Sequence, residues 1–258
     1  MSARVVLVTG GTRGIGAAVA AAFAAEGATV VACGRRRPET PSPDAEYLAC
    51  DVRRPEQVDA LVSEIVSRHG HLDVVVNNAG GSPVADAASV SPLSFSKVVE
   101  LNLLAPFYVA QRANTVMQQQ PAGGVIVNVG SVAALRPAPG MAAYSAAKAA
   151  LSNLTRTLAI EWAPAVRVNC VLAGLVRTEG AEERYRPLEL VESTIPLGRL
   201  AEASEVAAAC VLLASPLASF VSGADLVVDG GGQLPSFLEV QRRAAAGGDP
   251  AEHAASPS

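Results

Sequence analysis

Short apolar runs alternate along this chain with stretches of helical periodicity, and the alternation restricts the folds open to it. The runs are rich in Val, as at residues 4–9 and 125–129, whereas residues 142–162 have the pattern of a long helix. Strands that alternate with helices of this length form parallel sheets with right-handed crossovers, and the helices cover both faces. The chain is therefore predicted to be an α/β protein with a Rossmann-type, doubly wound parallel sheet of about seven strands.

The predicted elements cover the chain without a composition break that would divide it into two domains. Residues 1–240 are predicted to form one domain, and the Ala-, Gly- and Pro-rich residues 241–258 a loosely held tail. Residues 172–200 are expected to be irregular. Strands are expected at 4–9, 29–33, 47–50, 72–77, 125–129, 166–171 and 225–228, and helices at 15–26, 55–69, 94–120 (where Pro106 allows a break), 142–162 and 203–213.

Composition and charge argue against several classes of protein. The net charge of −4 and the lack of a long basic run argue against a nucleic-acid surface. No charged-then-apolar leader opens the chain and no apolar stretch reaches a membrane span, so a cytoplasmic protein without membrane contact is expected. The histidines make no metal-ligand pattern with the cysteines, which are expected to be buried, reduced thiols: Cys33, Cys50, Cys170 and Cys210.

A glycine-rich segment, Thr9-Gly10-Gly11-Thr12-Arg13-Gly14-Ile15-Gly16, lies between the first predicted strand and the first helix. Glycine permits a tight turn and lets the backbone approach a pyrophosphate, while the helix N-terminus offers free N–H groups. A glycine-rich turn alone is often only a turn, but its place after the first strand of an α/β alternation favours a dinucleotide site. The spacing of its glycines differs from the commoner dinucleotide fingerprint.

The end of the second strand indicates which dinucleotide binds. In NAD-preferring sites an acidic residue near this position binds the ribose hydroxyls. Here Gly34 is followed by Arg35 and Arg36, and Arg13 lies in the glycine-rich loop. No carboxylate would repel a 2′-phosphate and guanidinium groups could bind it, so NADPH is predicted to be preferred over NADH. The alternative is that these arginines are merely solvated.

Tyr144 and Lys148 lie four residues apart in a helical run, so both side chains rise from one face of the helix. A phenol is a poor base at neutral pH, with a reference pKa of about 10, but a nearby ammonium favours the phenolate. Such a tyrosine can exchange a proton with an alcohol or a carbonyl oxygen. The spacing alone often arises by chance on exposed helices, so the rest of the chain decides its meaning.

Two further polar residues are candidates for a site. Ser131 follows the fifth strand, where ligands of a parallel sheet gather, although a serine there is more often a turn or cap residue. Asn102 lies in an apolar stretch, Leu101-Asn102-Leu103-Leu104, where its polar amide needs hydrogen-bond partners. The alternative is a core asparagine whose hydrogen bonds are satisfied and which has no catalytic role.

Taken in this order, the motifs resemble the short-chain dehydrogenase/reductase family, in its common single-domain subgroup. A late segment, 195–199, leans toward 3-oxoacyl thioester reductases but is shared by many relatives. One departure is Ala173-Gly174 after the sixth strand, where the family usually has Pro-Gly. The resemblance extends to about Gly231 and is carried by residues 9–16, Asp51-Val52, Asn77-Asn78-Ala79-Gly80, Asn102, Ser131, Tyr144 with Lys148, Val168-Asn169, Ile195-Pro196-Leu197-Gly198-Arg199 and Asp229-Gly230-Gly231.

The resemblance implies a role for each catalytic position and a dinucleotide-binding and catalytic domain over residues 1–240. Tyr144 would exchange a proton with the substrate oxygen as hydride moves to or from the nicotinamide. Lys148 would bind the nicotinamide ribose and lower the Tyr144 pKa. Ser131 would hydrogen-bond the substrate oxygen, and the Asn102 backbone would hold a water that links Lys148 to solvent. The implied activity is the NADP(H)-dependent interconversion of a secondary alcohol and a ketone.

Cofactor contacts and assembly are implied in the same way. Asp51 would contact the adenine through its side chain, with Val52 beside it, and the backbone at 78–80 would line the adenosine ribose. Val176 and Thr178 would meet the nicotinamide carboxamide. The resemblance implies a homotetramer or homodimer, and it implies no bound metal. The implied cofactor-binding set is Gly10, Thr12, Arg13, Gly14, Ile15, Gly16, Arg35, Arg36, Asp51, Val52, Asn78, Ala79, Gly80, Tyr144, Lys148, Val176 and Thr178.

Other functions and several substrates stay open. A catalytically silent cofactor-binding sensor or structural protein would share the fold, because fold alone does not assign function. Enoyl reductases resemble this chain too, but they typically space Tyr and Lys further apart. The substrate could be a 3-oxoacyl thioester, a steroid or another hydrophobic ketone, or less well a sugar. Residues 174–200 are expected to cover the substrate pocket, with these side chains on the solvated face of a mobile lid: Glu179, Glu182, Glu183, Arg184, Tyr185 and Arg186.

Overall fold

Seven parallel strands form the central sheet of the protein. The computed structural model describes residues 3–39, 42–179, 183 and 185–233. The sheet order is β3-β2-β1-β4-β5-β6-β9, and a separate parallel pair is formed by β7 and β8, where the strands are β1 (Val5–Thr9), β2 (Thr29–Gly34), β3 (Glu46–Ala49), β4 (Val74–Asn77), β5 (Gly124–Ser131), β6 (Val166–Ala173), β7 (Val176–Arg177), β8 (Ala201–Glu202) and β9 (Asp225–Val228).

Helices cover both faces of this sheet, so the predicted Rossmann-type α/β fold is confirmed. Helix α1 packs against α7 on one face, and α2, α4 and α5 lie on the other. Short turns of 3-10 helix follow β5 and α7 at Val132–Ala134 and Pro216–Ala218. The helices are α1 (Gly14–Ala25), α2 (Pro55–His69), α3 (Pro92–Val99), α4 (Ala105–Met117), α5 (Ala142–Glu161), α6 (Leu188–Ser193) and α7 (Ala203–Ala214).

The apolar runs of the sequence are buried because the sheet is covered on both sides. Along β1, Val5 and Leu7 face the core with α2 and α4, whereas Val6 and Val8 face the core with α1 and α7. Alternate strand side chains point to opposite faces, so a strand buried on both faces is apolar throughout. All four cysteines are free and buried, as the sequence predicts.

Local signals place the ends of several helices. Helix α2 begins with Pro55 at its first turn and ends at Gly70, whose φ of +82° suits a left-handed cap, and its predicted bounds are correct. Helix α3 begins two residues earlier than predicted, because Ser91 caps it by accepting a hydrogen bond from the Ser94 N–H.

Two predicted segments differ from the structure. The helix expected at 94–120 contains a π-helical segment, Glu100–Leu104, between α3 and α4. The stretch expected to be irregular, 172–200, includes the end of β6, the strand β7 and the helix α6. Strands of two residues and a helix of six are too short to leave a periodic signal.

One helical stretch of the described part, Pro92–Met117, is long and apolar enough to cross a bilayer by those two criteria alone. It packs against α2, α5, β4 and β5, as core helices of globular domains do. Such a stretch is weak evidence for a membrane span.

The strand ends that carry the candidate residues lie at one edge of the sheet. Strands β1, β4, β5 and β6 are parallel neighbours that end at Thr9, Asn77, Ser131 and Ala173. In open α/β sheets, ligands bind outside the carboxyl ends of the strands. Glu182 and Arg184 of the predicted lid and the predicted tail, 241–258, lie outside the described residues.

Candidate active site

The glycine-rich loop forms a close-packed turn against the first helix. Gly14 has a φ of +54°, which favours glycine, and a Cβ added to it would lie 3.5 Å from Cγ2 of Thr178. A Cβ added to Gly16 would lie 2.2 Å from the carbonyl oxygen of Gly10, so the turn admits no larger residue there. The loop therefore leaves its backbone and the start of α1 accessible to a phosphate group, with Thr178 beside it.

Hydrogen bonds fasten this loop to the turn after β4. Oγ1 of the buried Thr9 accepts hydrogen bonds from the backbone N–H groups of Asn78 and Ala79, each at 3.0 Å. Nδ2 of Asn78 donates to the carbonyl oxygens of Thr9 at 3.0 Å and Gly10 at 3.2 Å. The Asn78 side chain thus supports the loop, and the backbone at 78–80 forms the adjoining wall of the cleft.

The loop and the end of β2 meet at a corner rich in arginine. A Cβ added to Gly34 would lie 3.9 Å from Cγ2 of Thr12. Arg35 follows Gly34 and Arg13 follows Thr12, so both arginines lie next to this corner. Arg13, Arg35 and Arg36 are all exposed. Exposed guanidinium groups at this corner could bind a phosphate group, and the Thr12 and Tyr47 side chains lie beside the same glycine.

Asp51 is held by Arg53, a residue that the sequence prediction missed. Arg53 donates to Oδ1 of Asp51 from Nε at 2.9 Å and from its backbone N–H at 3.2 Å, and to Oδ2 from Nη2 at 2.6 Å. Hydrogen bonding from Arg53 lowers the pKa of the Asp51 carboxyl, and the charge of Arg35 adds to the shift. The Asp-x-Arg spacing was the available signal. The paired charge leaves Asp51 little power to repel an anion at this corner.

Tyr144 and Lys148 project from α5, and Lys148 is buried. The Lys148 side chain is 3% exposed, its Nζ donates to the carbonyl oxygen of Val129 at 2.8 Å, and it lies 5.6 Å from the centre of the Tyr144 ring. Burial lowers the pKa of the Lys148 ammonium to about 8 from a usual 10.5, and the nearby Cys170 opposes the shift. A desolvated cation close to a phenol favours the phenolate.

The π-helical segment between α3 and α4 carries Asn102, which is fully buried. Its Nδ2 donates to the carbonyl oxygens of Gly81 at 2.8 Å and Val98 at 2.9 Å, and its Oδ1 accepts from the Gly81 N–H at 3.0 Å. Both the amide nitrogen and the amide oxygen of the Asn102 side chain therefore have hydrogen-bond partners. Gly80 passes close to both Asn102 and Lys148, since a Cβ added to it would lie 2.8 Å from Oδ1 and 3.5 Å from Nζ. Single π turns often occur at functional sites.

Ser131 ends β5, two residues beyond the carbonyl that Lys148 contacts. Its Oγ accepts a hydrogen bond from the backbone N–H of Ala133 at 3.2 Å, at the start of a 3-10 turn. This bond fixes the hydroxyl oxygen and leaves the O–H able to donate. Ser131 thus ends the strand whose Val129 carbonyl binds Lys148, while Tyr144 and Gly80, which contacts Asn102, lie beside the same lysine.

Residues after β6 complete the cleft. Ala173 pairs with Ser131 and with Val228 in the sheet, so β6 continues to the position where the family usually has proline. Val176 is 6% exposed in β7 and Thr178 lies near Gly14. Both therefore sit at the base of the predicted lid.

Comparisons with known proteins decide the family. A family model described as enoyl-(acyl carrier protein) reductase matches residues 10–233. The chain belongs to the short-chain dehydrogenase/reductase family. A 3alpha-hydroxysteroid dehydrogenase from Mediterraneibacter gnavus is 37% identical over 243 residues, which cover 88% of this chain and 96% of the relative. An L-fucose dehydrogenase from Bos taurus is 38% identical over 245 residues, which cover 90% of each chain.

A solved structure of the family is similar throughout. The ligand-free aldohexose dehydrogenase of Thermoplasma acidophilum is 31% identical, with a TM-score of 0.83 over 89% of this chain and 93% of its own. The protein is accordingly an oxidoreductase of the short-chain dehydrogenase/reductase family, which uses NAD(P) and acts on small-molecule substrates.

Proposed function

We propose that this protein interconverts a secondary alcohol and a ketone with NADP(H), and that Tyr144 is its general acid and base. The observation that carries the proposal is the buried ammonium of Lys148, 5.6 Å from the centre of the Tyr144 ring at the carboxyl edge of the sheet. A desolvated cation there favours the phenolate that proton exchange requires. Bound NADPH supplies the hydride.

Each residue around the tyrosine has a task in this scheme. The Tyr144 hydroxyl gives its proton to the substrate oxygen during reduction and takes it back during oxidation. The Ser131 hydroxyl donates a hydrogen bond to the same oxygen and orients it. Lys148 binds the nicotinamide ribose, and the backbone at Asn102 holds a water through which Lys148 exchanges protons with solvent.

The residues that would hold the cofactor line the cleft between the glycine-rich loop and the turn after β4. The backbone from Gly10 to Gly16 would receive the pyrophosphate, residues 78–80 would line the adenosine ribose, and Asp51 and Val52 would meet the adenine. Val176 and Thr178 would contact the nicotinamide carboxamide. The exposed guanidinium groups near Gly34 support NADPH over NADH, since the Asp51 carboxylate is paired with Arg53.

The names of relatives widen the set of candidate substrates. Hydroxysteroids and L-fucose are what two of them are named for, and a 3-oxoacyl thioester or another hydrophobic ketone stays in the proposal. The three residues between Tyr144 and Lys148 speak against an enoyl reductase, despite the description of the family model. We further propose a cytoplasmic homotetramer or homodimer, whose molar mass light scattering would measure.

Replacing the tyrosine tests the mechanism. Tyr144→Phe removes the proton donor and is expected to reduce ketone turnover by about 10² to 10⁴, with NADPH binding retained in a fluorescence titration. Tyr108→Phe is the matched control and should keep full turnover, because Tyr108 lies in α4 near Pro55 and Asp59 of α2. Near-normal turnover by Tyr144→Phe would refute the mechanism. NADPH binding without turnover of any ketone by the unmodified protein would favour the catalytically silent alternative.

A further inference from the structure

Three large apolar side chains are exposed on three loops at the carboxyl edge of the sheet. Val84 is 76% exposed in the loop after β4, Leu135 is 55% exposed in the loop after β5, and Leu197 is 69% exposed between α6 and β8. Single exposed apolar residues are ordinary, but a contiguous set marks a binding surface. Whether these three belong together depends on how their loops are connected.

The loops after β4 and β5 are joined next to Val84. The backbone N–H of Ala85 donates to the carbonyl oxygen of Gly140 at 2.9 Å. A Cβ added to Gly140 would lie 2.9 Å from Cγ1 of Val84, so the valine rests on this glycine. Gly140 is four residues before Tyr144. Val84 is therefore fixed beside the start of α5, the helix that carries Tyr144 and Lys148.

The loop after β5 and the segment that carries Leu197 are joined through the turn after β9. Arg136 follows Leu135, and its Nη2 donates to Oδ2 of Asp229 at 2.5 Å. This bond ties the loop after β5 to the turn after β9. The backbone N–H of Leu197 donates to the carbonyl oxygen of Gly230 at 3.1 Å. These bonds and the contact at Gly140 connect Val84, Leu135 and Leu197 into one structure, here called the apolar rim.

Two guanidinium groups in the segments around the apolar rim are engaged by carboxylates. Arg136 is paired with Asp229, and Arg177 is paired with Glu192 at 2.7 Å and with Glu202 at 3.3 Å. The three exposed side chains of the rim therefore offer a ligand hydrocarbon surface. The segment between Ser131 and Tyr144 supplies one part of the rim, so the rim is continuous with the proposed catalytic residues.

We propose that the apolar rim binds the hydrocarbon body of the substrate, which is a neutral ketone or secondary alcohol with an extended apolar skeleton rather than a sugar. This inference rests on the function proposed above and narrows its substrate class. Each methylene removed from water should raise kcat/KM about threefold to fourfold while the rim still has surface to cover it. A sugar would place hydroxyl groups against the three rim side chains, which offer them no hydrogen-bond partner.

A homologous series of substrates tests the rim directly. NADPH-dependent kcat/KM is measured for 2-alkanones of increasing chain length, from 2-butanone to 2-nonanone, and NADP⁺-dependent oxidation is measured for L-fucose and D-glucose. The unmodified protein should show a steady rise in kcat/KM along the series and far lower values with both sugars. Leu135→Asn should flatten the rise, with the value for 2-butanone changed least.

Leu217→Asn is the matched control. Leu217 is 89% exposed but lies between Ser215 and Val221, whose carbonyl oxygens accept from the Arg167 guanidinium, near the start of β6 at the opposite edge of the sheet. This variant should keep the full dependence on chain length. If Leu135→Asn and Leu217→Asn lost the dependence on chain length equally, the cause would be a general effect of surface polarity. That result would overturn the assignment to the rim.

Several other outcomes would overturn the inference. They are a flat series in the unmodified protein, turnover of either sugar without turnover of any alkanone, or a larger kcat/KM with either sugar. A change in molar mass by light scattering in Leu135→Asn would show that a second copy of the chain covers the rim instead of substrate. The proposed catalytic mechanism fails on a different result, full alkanone turnover by Tyr144→Phe, so the two failures are distinguishable.

Discussion

Lys148 is expected to destabilise the cofactor-free protein at neutral pH. Burial lowers its pKa from 10.5 to about 8, and each tenfold change in an acid dissociation constant corresponds to about 1.4 kcal/mol. The protonated side chain thus costs about 3 kcal/mol in the folded state below pH 8. Between pH 8 and 10.5 the unfolded chain binds more protons than the folded chain, so this group makes stability rise with pH.

Replacing Lys148 by Met removes the titration while keeping an unbranched side chain of similar length. The lost hydrogen bond to the Val129 carbonyl, 2.8 Å in the structure, contributes a loss of stability that is the same at both pH values. The pH dependence is therefore the diagnostic quantity. From pH 7 to pH 9.5 the free energy of unfolding of the unmodified protein should rise by about 2 kcal/mol relative to Lys148→Met, or about 4–8 °C in Tm.

Urea unfolding of both proteins at the two pH values, without NADP(H), measures this difference. The chain contains one other lysine, Lys97, which is exposed in α3, so Lys97→Met is the matched control for exchanging a lysine for a methionine at the surface. A free-energy difference between Lys148→Met and the unmodified protein that stays constant from pH 7 to 9.5 would refute a desolvated ammonium at this position.

Two further predictions concern the cofactor cleft. Gly16→Ala should weaken NADPH binding at least tenfold by titration, while circular dichroism shows a folded chain, because the added Cβ would lie 2.2 Å from the Gly10 carbonyl oxygen and must displace the loop. Unchanged affinity would show that the loop does not hold the pyrophosphate. Arg35→Asp should lower the ratio of kcat/KM for NADPH over NADH by about tenfold to a hundredfold, since a carboxylate repels the 2′-phosphate. A ratio left unchanged would mean that Arg35 is only solvated.

The sequence predicted the main architecture because its signals are local. Val-rich runs bounded by turns indicated the seven strands of the sheet, and Pro55 marked the start of α2. The glycine-rich loop was recognisable because a backbone that turns within a few residues restricts which residues can occupy it. The order of the motifs also identified the family, which the comparisons confirmed.

Elements too short to be periodic escaped sequence prediction. The strands β7 and β8 and the helix α6 are two to six residues long. The π-helical segment at Glu100–Leu104 also left no signal, because one wider turn does not change the apolar pattern on either side. Yet this segment carries Asn102 and fastens it to Gly81, so it shapes the proposed proton path.

By itself, the sequence determined which residue types are available at the carboxyl edge of the sheet and in what order. Only the tertiary structure decided their chemical state: Lys148 is desolvated, and Arg136 is paired with Asp229, 93 residues away. These properties depend on burial and on contacts between distant segments. A spacing rule along the chain cannot report them, because the water that each group loses on folding is set by its neighbours in space.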